Sequence, residues 1–253
     1  MKLHFLSGGQ LEIRKSIYFA DADRDDMLEL PVACGLVRHA QGNLLFDTGC
    51  HPSVAENAEV RWGGLTKFMR PTMDANDNVL SSLDALGFAP TDIDCVVCSH
   101  LHPDHCGCNE YFTNATILVS REELKAARAT DTIKHGYYAA DFEHPIPIDE
   151  FDGERDVFGD GRVVLKPLPG HTPGSIGAMV ALDKSGLMFL TSDAVSIRQN
   201  LDDDAPPRNT WCRDAAFRTF AEVRDVEQSG ATIVCGHDIA QWNSLKKGEE
   251  FYD

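Results

Sequence analysis

The chain has 253 residues, 43% hydrophobic and 25% charged, an ordinary globular composition with enough length to bury a large core. Its 40 acidic residues against 23 basic ones leave a formal charge of −17, and no basic patch stands out against that field, which excludes nucleic acid and anionic membrane surfaces as expected partners. Met1–Gln10 lacks the basic and apolar regions of a secretory signal, and no apolar run is long enough to cross a bilayer, so a cytoplasmic protein is expected. Eight cysteines scattered through a chain of this size then read as reduced thiols rather than staples.

In chain order, Tyr18, Phe19, Met27, Leu28 and Leu30 flank an acidic run at 21–26. That reads as a mobile loop with apolar anchors, which together with Trp62 would wall an apolar pocket. Residues 35–49 read as two strands around Gly42-Asn43, the second running into Asp47-Thr48-Gly49. Residues 178–193 repeat the pattern and run into Thr191-Ser192-Asp193. The echo predicts one domain over 1–253 built of two pseudo-repeated halves, with polar residues at equivalent strand ends.

A helix is predicted over Val79–Leu86, with Asn76 and Asp77 as cap candidates and Gly87 at the left-handed stop. The strand Ile93–Cys98 follows. Ser120-Arg121-Glu122-Glu123 matches a capping box, Asp214–Gln228 reads as an amphipathic helix closed near Gly230, and the strand Thr232–Cys235 leads into Gly236-His237. Strands and helices that alternate with hairpins mixed in predict an α/β fold: an αββα sandwich of two mixed sheets face to face, helices on the outer faces.

Cys95-x-x-Cys98, with Cys106 and Cys108 nearby, superficially matches a four-thiolate zinc site. Residues three apart in a strand point to opposite faces and cannot share one ion, so small buried thiols are the better account. A stronger signal is Ser99-His100-Leu101-His102-Pro103-Asp104-His105, directly after an apolar strand. Imidazole and carboxylate are the ligand set for zinc and similar divalent metals, and bunching them at one turn leaves little chain entropy to lose. His171 in Pro169-Gly170-His171-Thr172-Pro173-Gly174, Asp193 and His237 stand where other strands give way to loops. Strand ends suit ligands because the sheet holds them rigidly.

These motifs, in this order over essentially the whole chain, resemble the metallo-β-lactamase superfamily. The resemblance implies that His100, His102 and His171 hold one metal, that Asp104, His105 and His237 hold another, and that Asp193 bridges them. Asp47 would be hydrogen-bonded behind the ligands and orient them. Two divalent ions are implied, zinc first, with cobalt, manganese or iron as alternatives. Such ions lower the pKa of water towards about 7 and polarise a carbonyl, and Asp104 could pass a proton to the departing alkoxide. Length, spacing and the ending Lys246–Tyr252 look most like the N-acyl-homoserine lactonases, which implies a quorum-quenching hydrolase acting on a small-molecule lactone or ester, as monomer or homodimer.

One position departs from that group. Those lactonases carry a Tyr three residues after the bridging Asp, contacting the substrate carbonyl, and here Ser196 stands there. Ser196 is thus counted with Phe19, Leu28, Leu30 and Trp62 as a substrate-pocket residue, and the substrate is left open. A glyoxalase II-like thioesterase would use the same metals with a basic region for glutathione, of which the C-terminal half offers little beyond Lys246 and Lys247. An iron-dependent, oxygen-using enzyme is the different class, distinguished by bound iron and oxygen consumption. A nuclease would need phosphate clamps that the acidic balance disfavours, and a structural zinc site needs fewer ligands than seven.

Overall fold

A computed structural model describes residues 1–23 and 25–253. The acidic loop expected at 21–26 therefore contains one residue, Arg24, outside the described residues. Among the described residues twelve strands form two sheets. The larger has seven: β1 (Lys2–Arg14), β2 (Met27–His39), β3 (Gly42–Phe46), β4 (Met69–Pro71), β5 (Cys95–Val97), β6 (Thr116–Ser120) and β7 (Ile148–Phe151), in spatial order β4-β1-β2-β3-β5-β6-β7. The smaller has five: β8 (Arg155–Asp156), β9 (Val163–Pro167), β10 (Ile176–Leu182), β11 (Gly186–Ser192) and β12 (Thr232–Cys235), in order β12-β11-β10-β9-β8. Both sheets are mixed: β3, β5, β6 and β7 run parallel, as do β11 and β12, while the hairpin pairs are antiparallel.

Period-two alternation sorts the apolar side chains into layers. Leu44, Val97 and Leu118 point between the sheets, where they meet Leu165, Ala178 and Leu190 from the smaller one. Their immediate neighbours Leu45, Val96 and Ile117 point the other way, under α2 (Val79–Ala85) and α3 (Arg121–Ala127) through Val79, Leu83 and Leu124. On the far side, Phe189 and Ile233 of the smaller sheet lie under Phe220 and Val223 of α6 (Arg213–Gln228). Each such buried aliphatic or aromatic side chain is worth roughly 1.5–3 kcal/mol relative to exposure, which is what binds the four layers. The other α-helices among the described residues are α1 (Ser53–Trp62), α4 (Ala139–Phe142), α5 (Arg198–Asp202) and α7 (Ile239–Ser244). Among the described residues no helix is long and apolar enough to cross a membrane.

Several local expectations shift. The first hairpin turns at Ala40-Gln41, since His39 pairs with Gly42 and Asn43 already lies in β3. The cap of α2 is Asn78, whose side chain accepts from the amides of Leu80 and Ser81, rather than Asn76 or Asp77. Ser120 makes no side-chain cap to α3, because Glu123 turns inward to other partners. The strand read as Ile93–Cys98 is regular only over Cys95–Val97. All eight cysteines are free, and Cys95 and Cys98 belong to the packing on opposite faces of the larger sheet.

The parallel strands set the location of the chemistry. Loops that leave the carboxyl ends of β3, β5, β9, β11 and β12 gather at one rim of the sandwich. Open α/β sheets place ligand sites at such carboxyl ends.

Candidate metal centre

Asp47 follows β3; His100, His102, Asp104 and His105 follow β5; His171 lies between β9 and β10; Asp193 follows β11 and His237 follows β12. The loop after β5 is held open by backbone partners from Asp47-Thr48-Gly49. The Thr48 amide donates to the His105 carbonyl (2.7 Å), the Gly107 amide donates to the Gly49 carbonyl (2.9 Å), and Thr48 Oγ1 donates to Asn109 Oδ1 (2.9 Å). Gly49 is obligatory there: at φ +71° a Cβ would lie 2.4 Å from the Cα of Gly8. Asp47 and Ser192, at φ +60° and +47°, occupy conformations that non-glycine residues rarely adopt, and both sit against the site.

Glu123 clamps two of these loops together. Its Oε1 accepts from the Leu101 amide (3.0 Å), and its Oε2 accepts from Thr172 Oγ1 (2.7 Å) and the Gly174 amide (3.1 Å). Burial pushes this carboxyl up, and the hydrogen bonds oppose that shift. Gly174 packs so tightly that an added Cβ would meet the Glu123 amide nitrogen at 2.1 Å.

Two clusters of ligating atoms result. In the first, His102 Nδ1 lies 3.1 Å from His100 Nε2 and 3.0 Å from His171 Nε2. In the second, His105 Nε2 and His237 Nε2 are 3.2 Å apart, with Asp104 Oδ2 at 3.6 and 3.7 Å from them. Asp193 stands between: Oδ1 is 2.9 Å from His237 Nε2 and 3.8 Å from His105 Nε2, while Oδ2 is 3.3 Å from His171 Nε2.

Hydrogen bonds on the other ring nitrogens fix which lone pairs face inward. His102 Nε2 donates to the His135 carbonyl (3.0 Å), and His237 Nδ1 to the Pro31 carbonyl (2.9 Å). His105 Nδ1 donates to Asp47 Oδ2 (2.9 Å), an atom that also accepts from Ser99 Oγ (2.7 Å) and Ser192 Oγ (3.2 Å). Carbonyl and carboxylate oxygens can only accept, so each of these rings carries a proton on its outward nitrogen and directs the other nitrogen to the centre, where it can bind a cation once unprotonated.

The donor set fits divalent cations. The ring nitrogens of His100, His102 and His171 converge as acceptors, the second cluster gathers imidazoles against carboxylates, and Asp193 Oδ1 is buried with no hydrogen-bond partner, an arrangement that a cation relieves. Burial, reinforced by neighbouring imidazoles, holds His100 well below the usual range and brings His102 down to about 3. His171 is lowered by burial against the pull of Asp193. At His105 burial disfavours the charge, yet Asp104, Asp47 and Asp193 together raise it to about 10; at His237 Asp193 likewise overcomes burial.

A cavity of about 730 Å³ opens onto this centre, with His102, Asp104, His171 and Asp193 at its floor and Ile13, Ile17, Leu30, Leu65, Phe68 and Met69 along one wall. Tyr18 also lines it, and burial, then Asp193 and Asp104, push its phenol well above the ordinary tyrosine value, so it remains a donor. Of the residues expected to wall the substrate pocket, Tyr18 and Leu30 line this cavity. Trp62 is fully buried in the packing behind the wall, Phe19 and Leu28 pack against the same cluster, and Ser196 lies beneath, 2% exposed, with its carbonyl accepting from the His237 amide (2.8 Å). The wall therefore draws on β1, β4 and the turn at 63–67. The clamp made by Glu123 carries no local signal, because its partners are 22 to 51 residues away in sequence.

A family model described as the metallo-beta-lactamase superfamily matches residues 27–237. The chain is 32% identical to an N-acyl homoserine lactonase AttM of Azorhizobium caulinodans, covering 100% of this chain and 99% of that protein. It is 29% identical to an N-acyl homoserine lactonase of Bacillus cereus, covering 99% and 98%. Among solved structures it is similar to an N-acyl homoserine lactone hydrolase with N-hexanoyl-L-homoserine at its catalytic metal center (TM-score 0.89, 28% identity, 99% and 98% covered). It is equally similar to a B. thuringiensis AiiA variant with N-decanoyl-L-homoserine at its active site (TM-score 0.89, 28% identity, 99% and 98% covered). With the family match spanning most of the chain over a sheet order and site built as described, the chain belongs to the metallo-β-lactamase superfamily.

Proposed function

We propose that this chain is a dinuclear metal-dependent hydrolase that opens a lactone ring, with N-acyl-homoserine lactones as its substrate class and quorum quenching as its role. The observation that supports this most is the junction of an apolar-walled cavity with two adjoining cation-fitting clusters, in a chain that is similar along its length to lactonases. His100, His102 and His171 would hold one ion, Asp104, His105 and His237 the other, and Asp193, with an oxygen towards each cluster, would bridge them. Zinc is the expected metal, with cobalt, manganese and iron as competitors. Divalent ions at such a centre supply Lewis-acid polarisation of a carbonyl and activate water near neutral pH.

The chain's own residues do the rest. The wall from Ile13 to Met69 receives an acyl chain and keeps water from one side of the scissile ester. Asp104, on the cavity lining, would take the proton given up by the attacking water and pass it to the alkoxide oxygen released when the ring opens. Residues 1–253 are read as one domain of two related halves, since each sheet carries one of the two echoing hairpins, and the protein as cytoplasmic. A thioester of an anionic substrate is the second reading, favoured by Arg208 and Lys134 on the cavity lining.

Metal analysis joined to a pH-stat assay of N-hexanoyl-homoserine lactone, other lactones and a glutathione thioester tests this. Chelation should abolish ring opening and added zinc should restore it. Full activity in a verified metal-free sample would refute the metal role. Turnover of the thioester alone would sink the lactone assignment and leave a metallohydrolase.

A further inference from the structure

Tyr18 follows the 3-10 turn Lys15–Ile17 at the end of β1, and its ring packs in the cluster of Leu11, Leu30, Trp62 and Ile197. Its phenol faces the cavity that holds His102, Asp104, His171 and Asp193, beside the side chains of Ser196 and Asn209. The backbone at this point is fixed from three directions. The Tyr18 amide donates to the Lys15 carbonyl (3.0 Å), its carbonyl accepts from Nδ2 of the buried Asn200 (2.9 Å), and the Arg208 amide donates to the Ile17 carbonyl (2.8 Å). A long-range clamp of this kind holds a side chain in one place, as a preorganised donor requires.

We propose that Tyr18 is a catalytic residue of the ring-opening reaction, its phenolic O–H donating a hydrogen bond to the scissile carbonyl oxygen and to the oxyanion that develops there. Ser196 is itself buried, its hydroxyl beside the Tyr18 phenol and 3.5 Å from the Asp193 carbonyl, and it does not line the cavity. The donor at this edge of the site thus comes from the amino-terminal turn, and the residue after Val195 can remain small. No bond to Tyr18 is made or broken; it keeps its proton throughout. This inference rests on the hydrolytic reading given above.

The test is Tyr18→Phe, which keeps the ring and its packing and removes only the donor. On the zinc-loaded enzyme kcat should fall about 10- to 100-fold with KM little changed, less than the ~10²–10³ a lone oxyanion donor is worth because bound ions share the load. Metal stoichiometry and melting temperature should stay at wild-type values. A second arm measures binding of the open-chain product N-hexanoyl-homoserine by calorimetry, where loss of the donor should weaken affinity about 5-fold, close to one ordinary hydrogen bond. The wild-type rate on lactones tests the substrate class alone, whereas the ratio of variant to wild type on any ester it turns over tests Tyr18. Unchanged kcat with unchanged product binding, or a variant that loses metal and stability, would overturn the proposal.

Discussion

The two ligand clusters are built from the same residue types and sit side by side, yet their electrostatics are opposite. Around His100, His102 and His171 burial dominates and lowers the imidazoles, with His102 oriented by the His135 carbonyl, His100 by Ser99 Oγ (3.0 Å), and the loops joined by the Glu123 clamp. Around His105 and His237 three carboxylates, Asp47, Asp104 and Asp193, outweigh burial and call for positive charge. The first cluster is therefore a neutral set of candidate ligands, and the second is a well of negative charge that favours a positive one. On the proposed ligand assignment, metal loading of the second should release protons and loading of the first should not.

Asp193 belongs to both clusters, so its removal should have the largest effect. Asp193→Ala is expected to lower metal content from two ions towards one per chain and bring turnover close to background, read by metal analysis and pH-stat. Retention of both ions would break the comparison at its centre. His39→Ala is the matching control, since His39 stacks on Phe158 and pairs with Asp160 (2.9 Å) away from the site.

Asp47→Asn should act mainly on the second cluster. Its carboxylate orients His105 and shares Ser99 and Ser192, and loss of such a partner typically costs about 10- to 100-fold in metal affinity or activity. Competition titration should show one weakened ion and one at wild-type affinity. Equal weakening of both would mean that the clusters are not separately supported.

The smallest effect, and the sharpest for the comparison, is the pH dependence of the metal-free protein's stability. His105 and His237 have raised folded-state values, so their contribution is complete below the unfolded value of about 6.5 and is lost as pH rises, for His105 towards about 10. His100 and His102 have lowered values: the unfolded chain takes up protons below about 6.5 while the folded one does not, so stability falls as pH drops, for His102 towards about 3. Denaturant titrations of chelated protein should thus show an alkaline limb that Asp47→Asn shrinks and an acid limb that it leaves alone. A flat profile between pH 6.5 and about 9 would contradict the charge-rich description of the second cluster.

The sequence alone determined the layered α/β sandwich, because apolar alternation in the strands and helical spacing between them are local patterns that survive without knowledge of partners. It also singled out the seven candidate ligands, because His and Asp bunched after an apolar strand, or standing at a Pro-Gly turn, have few structural uses. Only the tertiary structure decided what surrounds them. The cavity wall draws on β1, β4 and the 63–67 turn, segments whose apolar residues look like any core, while Trp62, expected at the wall, is core. Glu123 satisfies a local capping pattern but serves loops 22 and 51 residues away. Tyr18 reaches the centre because Asn200, 182 residues on, fixes its carbonyl. Such contacts join strand ends that are close only after the sheets have formed, and no periodicity within the chain encodes them.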